Sequence, residues 1–297
     1  MAGAVGLAIT SCTVPAGEPA GAAGPVQCGS DAVRIDGVEP APGGDLPGWR
    51  PVFVDDFERC ELGEDWAAYS GQPGGDPLSW WEPDRVSVGG GVLRLGIARF
   101  QDQVITGGAS NDVVAREYGR WEVRLRVDRG QDVSYHVLLW PQDEQWPPEI
   151  DIAESIDGDR RTMSSFVHWR DGEERFFAQA DTEGVFDEWH TVGVEWLPGR
   201  IRYLLDGEPW AELDVADHVP AKPMWLAIQA QAGACEKRDS WGMPACGPAE
   251  DMPGAVNVDV DWVTVHEPVW EEVPPREPLG DAGAEFREIG PFAIEED

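Results

Sequence analysis

Residues 146–154 read Trp-Pro-Pro-Glu-Ile-Asp-Ile-Ala-Glu, and the three acids in this stretch have the types and spacing for acid–base chemistry. Ile150 and Ile152 alternate with Glu149 and Asp151, the pattern of a strand buried on one side. Side chains two apart on a strand share a face, so Glu149 and Asp151 point together. Glu154 falls on the opposite face unless one extra residue is inserted, and a β-bulge between Asp151 and Glu154 restores it. Three carboxylates on one face repel one another, which a strand of purely structural role has no reason to accept. Two glutamates whose carboxyl groups sit about 5–5.5 Å apart across a glycosidic bond can hydrolyse it with retention. One, ionised, attacks the anomeric carbon; the other, protonated, donates to the leaving oxygen. Asp151 between them hydrogen-bonds one glutamate and, by its charge, keeps the proton of the other in place near neutrality.

Sugar rings stack their apolar faces on aromatic side chains, and the chain holds 15 Trp, more than a core alone easily takes. Trp140, Trp146, Trp80, Trp81 and Trp169 are the groove candidates, with Trp146 foremost because it lies just before Glu149. Gln229 and Gln231 share a face of the run from Trp225 to Gln231 and can offer amides to sugar hydroxyls. The elements around these residues are short strands. Val86–Val88 and Val92–Leu95 flank the turn Gly89–Gly91, where positive φ is accessible. Tyr118–Val127 alternates apolar with polar residues, Val192–Trp196 and Ile201–Leu205 form a second hairpin, and Val256–Val265 alternates Val with Asp. Many short antiparallel strands predict an all-β fold, a two-sheet β-sandwich of jelly-roll type with an open cleft on its concave face.

The balance of 56 acidic against 22 basic residues gives a formal charge of −34, which excludes nucleic acid as a partner and disfavours anionic membranes and strongly anionic polymers. An apolar fraction of 42% supports a substantial core. Residues 1–12 read as a residual export signal. Ile9-Thr10-Ser11-Cys12 resembles the lipobox of bacterial lipoproteins, although no basic segment precedes it, and makes Cys12 a candidate lipid anchor. Residues 13–48 are an Ala/Gly/Pro-rich tether, 49–268 the catalytic domain, and 269–297 an acidic, Pro-rich tail that wraps or dangles. The protein is expected to be monomeric and secreted or tethered at the cell surface. Four further cysteines allow three pairings, of which Cys235–Cys246 with Cys28–Cys60 is the economical one. No Cys/His spacing suggests zinc.

These residues carry a family resemblance. Glu149-Ile150-Asp151-Ile152-Ala153-Glu154 resembles the ExDxxE signature of glycoside hydrolase family 16, the laminarinase and β-glucanase family. Val54-Asp55-Asp56-Phe57 is similar to its opening D-E-F segment, and Tyr118-Gly119-Arg120-Trp121-Glu122 to its Y-G-R-F/W-E strand. Trp189-His190-Thr191, with Glu195-Trp196 and Asp206-Gly207, resembles its W-H, E-W and D-G hairpin positions; Asp261-Trp262-Val263 resembles its closing D-Y-V strand. The resemblance implies Glu149 as nucleophile, Glu154 as general acid/base and Asp151 as assisting acid. The bulged spacing resembles the laminarinase-like branch rather than lichenases with the shorter ExDxE. It also implies a cleft role for His168, a substrate-facing position for Arg85 where relatives often have Asn, no catalytic cofactor, and a structural calcium drawing on Asp56 and Asp261. Pro148 replaces the Gly usual before the nucleophile, and Tyr135–Pro141 replaces a W-P-A-x-W segment.

The expected activity is retaining endo-hydrolysis of β-1,3 or mixed β-1,3/1,4 glucan, with a neutral polysaccharide as partner. A transglycosylase or an agar-type galactan hydrolase is the alternative within enzymes. A non-catalytic glycan-binding envelope protein is the alternative outside them, and it has no reason to keep all three acids.

Overall fold

The structure, a computed structural model, describes residues 25–28, 33–73, 78–100, 103–238, 244–246, 255–273, 279 and 283–292. The first half of the domain contains β1 (Trp49–Asp55), β2 (Ala67–Ala68), β3 (Ser79–Trp81), β4 (Val86–Gly89), β5 (Val92–Phe100), β6 (Gln103–Thr106), β7 (Gly108–Arg116), β8 (Gly119–Val127) and β9 (Val133–Pro141). The second contains β10 (Glu149–Ser155), β11 (Thr162–Asp171), β12 (Glu174–Glu183), β13 (His190–Leu197), β14 (Arg200–Leu205), β15 (Glu208–Leu213), β16 (Met224–Ala232), β17 (Ala255–Pro268) and β18 (Arg287–Phe292). One sheet runs β15-β14-β13-β8-β17-β5-β6-β3, with β1 beside β17 and β4 beside β5. The other runs β18-β12-β11-β10-β9-β16-β7-β2. The expected two-sheet sandwich is what the chain forms.

Strand alternation builds the core between the sheets. Val137 and Leu139 of β9, Ile150 and Ile152 of β10, and Leu226 and Ile228 of β16 face Leu93, Leu95, Val123, Val194 and Val258 from the other sheet, all of them buried. Trp121 and Trp196 are fully buried there, their rings 6.0 Å apart. Trp49, Trp66, Trp169, Trp210 and Trp262 are buried as well, so much of the tryptophan content is packing rather than groove. The β4–β5 turn uses Gly90 and Gly91 at φ +59° and +80°, which residues with a Cβ adopt at a cost.

The bulge lies where strand parity demands it. Against β9, Asp151 pairs with Leu138 but Ala153 already pairs with Val137, so Ile152 is the extra residue. Against β11, the register shifts between Asp151 and Glu154. Such an insertion interrupts the ladder and leaves a backbone group to be satisfied otherwise. Ser165, fully buried on the inner face of β11, donates its hydroxyl to the Ile152 carbonyl at 2.7 Å.

Disulfides join Cys28 to Cys60 and Cys235 to Cys246, with Cα separations of 5.5 and 5.6 Å. Residues 33–48, part of the segment read as a tether, touch the ten-stranded sheet: Ile35 N–H donates to Gly90 O and Glu39 N–H to Asp261. At the other end, β18 pairs with β12 and extends the eight-stranded sheet. Cys12 and the export-like residues 1–12 lie outside the described residues.

Ser165→Ala strands the buried Ile152 carbonyl. Unfolding in urea should show a loss of about 1–3 kcal/mol; a stability equal to wild type would mean that the bulge needs no such bond.

Candidate active site

With the bulge in place, Glu149, Asp151 and Glu154 all project from the outer face of the eight-stranded sheet. Their directly opposed neighbours share that face. On β11, Glu149 meets His168, Asp151 meets Phe166 and Glu154 meets Ser164. On β9, Asp151 meets Leu138 and Glu154 meets His136, and β16 then brings Gln229 opposite His136 and Gln231 opposite Ser134. The two glutamines therefore do lie on the carboxylate face.

Each acid has a different environment. Glu149 accepts the Trp146 indole N–H at 2.6 Å. Trp146 lies in the connection between β9 and β10; it precedes two prolines whose peptide bonds are both cis, and Arg170 donates to its carbonyl at 3.3 Å. Its ring also meets His168 at 5.7 Å and lies under the Arg175 guanidinium at 5.3 Å. Asp151 is 1% exposed, with His168 Nε2 3.1 Å from its carboxylate. A carboxylate oxygen from each of Glu149 and Asp151 and a ring nitrogen of His168 all lie within 4.8 Å of one another. Glu154 pairs with His136 Nδ1, and His136 Nε2 meets the buried Ser134 hydroxyl at 2.8 Å.

Burial, then the charge of Asp151, pushes the Glu149 carboxyl well above its ordinary range; His168 and the Trp146 hydrogen bond pull it back. Burial, then the charge of Glu154, raises Asp151. Burial lowers His168, so its imidazole is neutral near pH 7. Carboxylates this close cannot all ionise together, and one proton stays between Glu149 and Asp151. The Trp146 N–H lowers the Glu149 carboxyl and the hydrogen bond with Glu149 lowers that of Asp151, so the two acids share the proton. Ser134 and His136 serve Glu154 in either protonation state. A neutral imidazole can accept from the acid while donating to Ser134, or exchange tautomer, donate to the carboxylate and accept from the serine hydroxyl.

The aromatic candidates divide. Trp140 lies on the carboxylate face opposite Trp225, its indole held by Glu144 at 2.9 Å. Trp81 donates to Ala230 O at 3.1 Å and packs on Tyr69, ring centroids 4.8 Å apart. Gly108, opposite Gln229, has no room for a Cβ between Tyr69, Trp81 and Gln229, so these side chains close up around the far end of the row. Trp80, the alternate residue of β3, turns to Glu82 instead. Trp169 is a correction. With His168 facing outward, parity sends Trp169 inward, where it is 6% exposed and stacks on His218 at 4.0 Å and Phe176 at 5.8 Å. Arg85 ends a short 3-10 turn, its carbonyl packing on Gly107.

The calcium residues are also corrected. Asp261 is 1% exposed and already carries the Arg124 guanidinium and the Glu39 N–H at 3.0 Å. Asp56 is exposed and accepts from Glu58 N–H at 3.2 Å. Calcium needs several oxygens on one centre, and a guanidinium on one of them repels it. These two residues do not fit the ion.

Several site residues went unread in the sequence: His136 and Ser134 beside Glu154, and Phe166 and Phe177 around His168. His136 and Ser134 do alternate outward on β9, but their partner is fixed only by strand register.

Two glutamates with an aspartate between them, set among aromatic rings on the outer face of one sheet of a β-sandwich, are the groups that glycoside hydrolysis requires. Residues 78–263 match the family described as Glycosyl hydrolases family 16, and the chain belongs to that family, whose hydrolases need no catalytic cofactor. Among curated proteins it is similar to two endo-1,3-1,4-beta-glycanases of Rhizobium meliloti (strain 1021). It is 27% identical to EglC, with 71% of this chain and 52% of that protein covered, and 28% identical to ExsH, with 50% and 32% covered. The matches thus span about a third to a half of the length of those relatives. Its fold is like that of the laminarinase from Rhodothermus marinus, with a TM-score of 0.64 at 22% identity over 76% of this chain and 100% of that one. The catalytic domain of an endo-1,3-beta-glucanase (laminarinase) from Thermotoga petrophila RKU-1 gives 0.62 at 18% identity, covering 75% and 100%.

Two outcomes follow. Raised carboxyl pKa values mean that the folded site holds protons which the unfolded chain releases. The associated stability is complete below the ordinary carboxylate pKa, about 4, and is lost as pH rises through the higher folded values. Asp151→Asn should therefore flatten the decline of Tm above pH 4 and raise Tm at pH 8 by at least ~2 °C, while activity falls; a lower Tm at pH 8 contradicts the raised pKa. His136→Phe, which fills the space without a ring nitrogen, should reduce kcat by up to about 10²-fold with KM little changed. An unchanged kcat would mean that the His136 contact does not support Glu154.

Proposed function

We propose that this protein is a retaining endo-hydrolase of β-1,3 or mixed β-1,3/1,4 glucans acting by double displacement. The observation that supports this best is the Ile152 bulge, which turns Glu154 to the face of Glu149 and Asp151. In the first step the Glu149 carboxylate attacks the anomeric carbon as the glycosidic C–O bond breaks, and Glu154 gives its proton to the leaving oxygen. In the second, Glu154 takes a proton from water, whose oxygen attacks the same carbon and frees Glu149. Asp151 hydrogen-bonds the nucleophile, and the proton that the pair shares limits the negative charge there. The Rhizobium relatives are named for 1,3-1,4-beta-glycanase activity, and the like folds include laminarinases and a Bacteroides ovatus mixed-linkage glucan enzyme in complex with a G4G4G3G product. Two disulfides suit an enzyme that works outside the cytoplasm.

Incubation with laminarin, lichenan, curdlan, agarose and xyloglucan, followed by product sizing, tests the substrate. Cleavage of laminarin or lichenan, with new reducing ends that appear first as the β-anomer by NMR, is expected. Glu149→Gln should abolish it, and Glu154→Gln should lower kcat by roughly 10²–10⁴-fold. Cleavage of agarose alone would replace the substrate, products longer than the substrate would indicate transglycosylation, and an initial α-anomer would overturn retention.

A further inference from the structure

We infer that β18 completes a sugar-binding subsite on the acid-bearing side of the cleft, one that takes a neutral hexose residue of the substrate chain. This rests on the glucanase reading above. The family match ends at residue 263, whereas β18 comprises Arg287–Phe292, so the outer wall of the subsite is built by chain outside the matched region.

Register carries the argument. Across β11 and β12, Glu149 leads to His168 and then Phe177, and Asp151 leads to Phe166 and then Gln179. β18 continues both rows: Ile289 stands opposite Phe177, and Arg287 opposite Gln179. Directly opposed residues share a face, so Ile289 and Arg287 emerge on the carboxylate side, three strand spacings or about 14 Å from β10. A cavity of about 450 Å³ lies along these rows, lined by Glu154, Phe166, His168, Phe177, Gln179, Arg287 and Ile289. The strand is docked rather than loose: Ala284 N–H donates to Trp210 O, and Phe286 packs on Tyr203 with centroids 5.6 Å apart.

The chemistry of the wall suits a neutral ring. Phe177 and Ile289, the latter 38% exposed, offer an apolar surface to a sugar face. Asp181 is held by Ser164 Oγ and Gln179 Nε2, each at 2.7 Å, and pairs with one arm of Arg287. That pairing cancels the charge of Arg287, yet its side chain remains 62% exposed, and a guanidinium has five N–H donors for hydroxyl oxygens. A neutral polyol matches this wall; a carboxylated sugar would have to compete with Asp181 for the same cation.

The full-length chain and its Arg287→Ala, Ile289→Ser and double variants should be compared on β-glucan oligosaccharides of increasing length. Both side chains are substantially exposed, so thermal unfolding should stay close to wild type. KM should rise about tenfold, equivalent to about 1.4 kcal/mol, for oligosaccharides long enough to reach β18, with kcat retained and the shortest cleavable substrates unaffected. Product sizes should shift accordingly. Variants that match wild type at every length, or that lose the same factor at every length, overturn the subsite while leaving the glucanase reading intact. A wild type that cleaves no β-glucan overturns that reading and the ligand assigned here with it.

Discussion

A strand can show acids at 149, 151 and 154 on one face only if it holds one residue too many. Everything else about the site depends on that insertion. Ile152 supplies the extra residue, and Ile150 and Ala153 stay in the core on either side of it. The interrupted ladder is repaired from below by Ser165. The resulting crowd of carboxylates is then sorted by its neighbours: an indole on Glu149, an imidazole on Asp151, and a histidine–serine pair on Glu154. Burial and mutual repulsion raise the carboxyl pKa values of Glu149 and Asp151 in a way that opposes stability at high pH. The site is a destabilised patch on a well-packed sandwich.

What could be read in the sequence was what strand geometry fixes locally. The three acids, the bulge and the shared face of Gln229 and Gln231 follow from counting in twos along one segment, and the structure has them where the counting puts them. The same rule, applied to His168 and Trp169 together, would have separated them, because adjacent strand residues cannot both face the cleft. What was not legible depends on register between distant segments. Nothing near His136 in the chain announces Glu154, and nothing near Asp261 announces the guanidinium of Arg124 that takes the place expected for calcium. Tryptophan content misled in a similar way, since a sandwich with a thick core absorbs many indoles before any reach the surface.

The segments outside the matched family region are part of the domain's architecture. Residues 33–48 lie against the ten-stranded sheet, one of them hydrogen-bonded to Asp261, and β18 widens the eight-stranded sheet beyond β12. The catalytic strand is thus central to a sheet whose two flanks differ. Toward β16 the row ends in Gln229, Trp81 and Tyr69; toward β18 it ends in Gln179, Arg287 and Ile289. Such asymmetry is what a site needs in order to bind a directional polymer in one orientation.

Glu149, ionised and held by Trp146, is proposed to form a covalent bond to the sugar. An activated 2-deoxy-2-fluoro β-glucan oligosaccharide, which slows the second displacement more than the first, should trap that species. After incubation, peptide mapping by mass spectrometry should find the glycosyl adduct on Glu149, and none in Glu149→Gln. An adduct on Glu154, or turnover of natural substrate with inverted configuration and no adduct, would contradict the account.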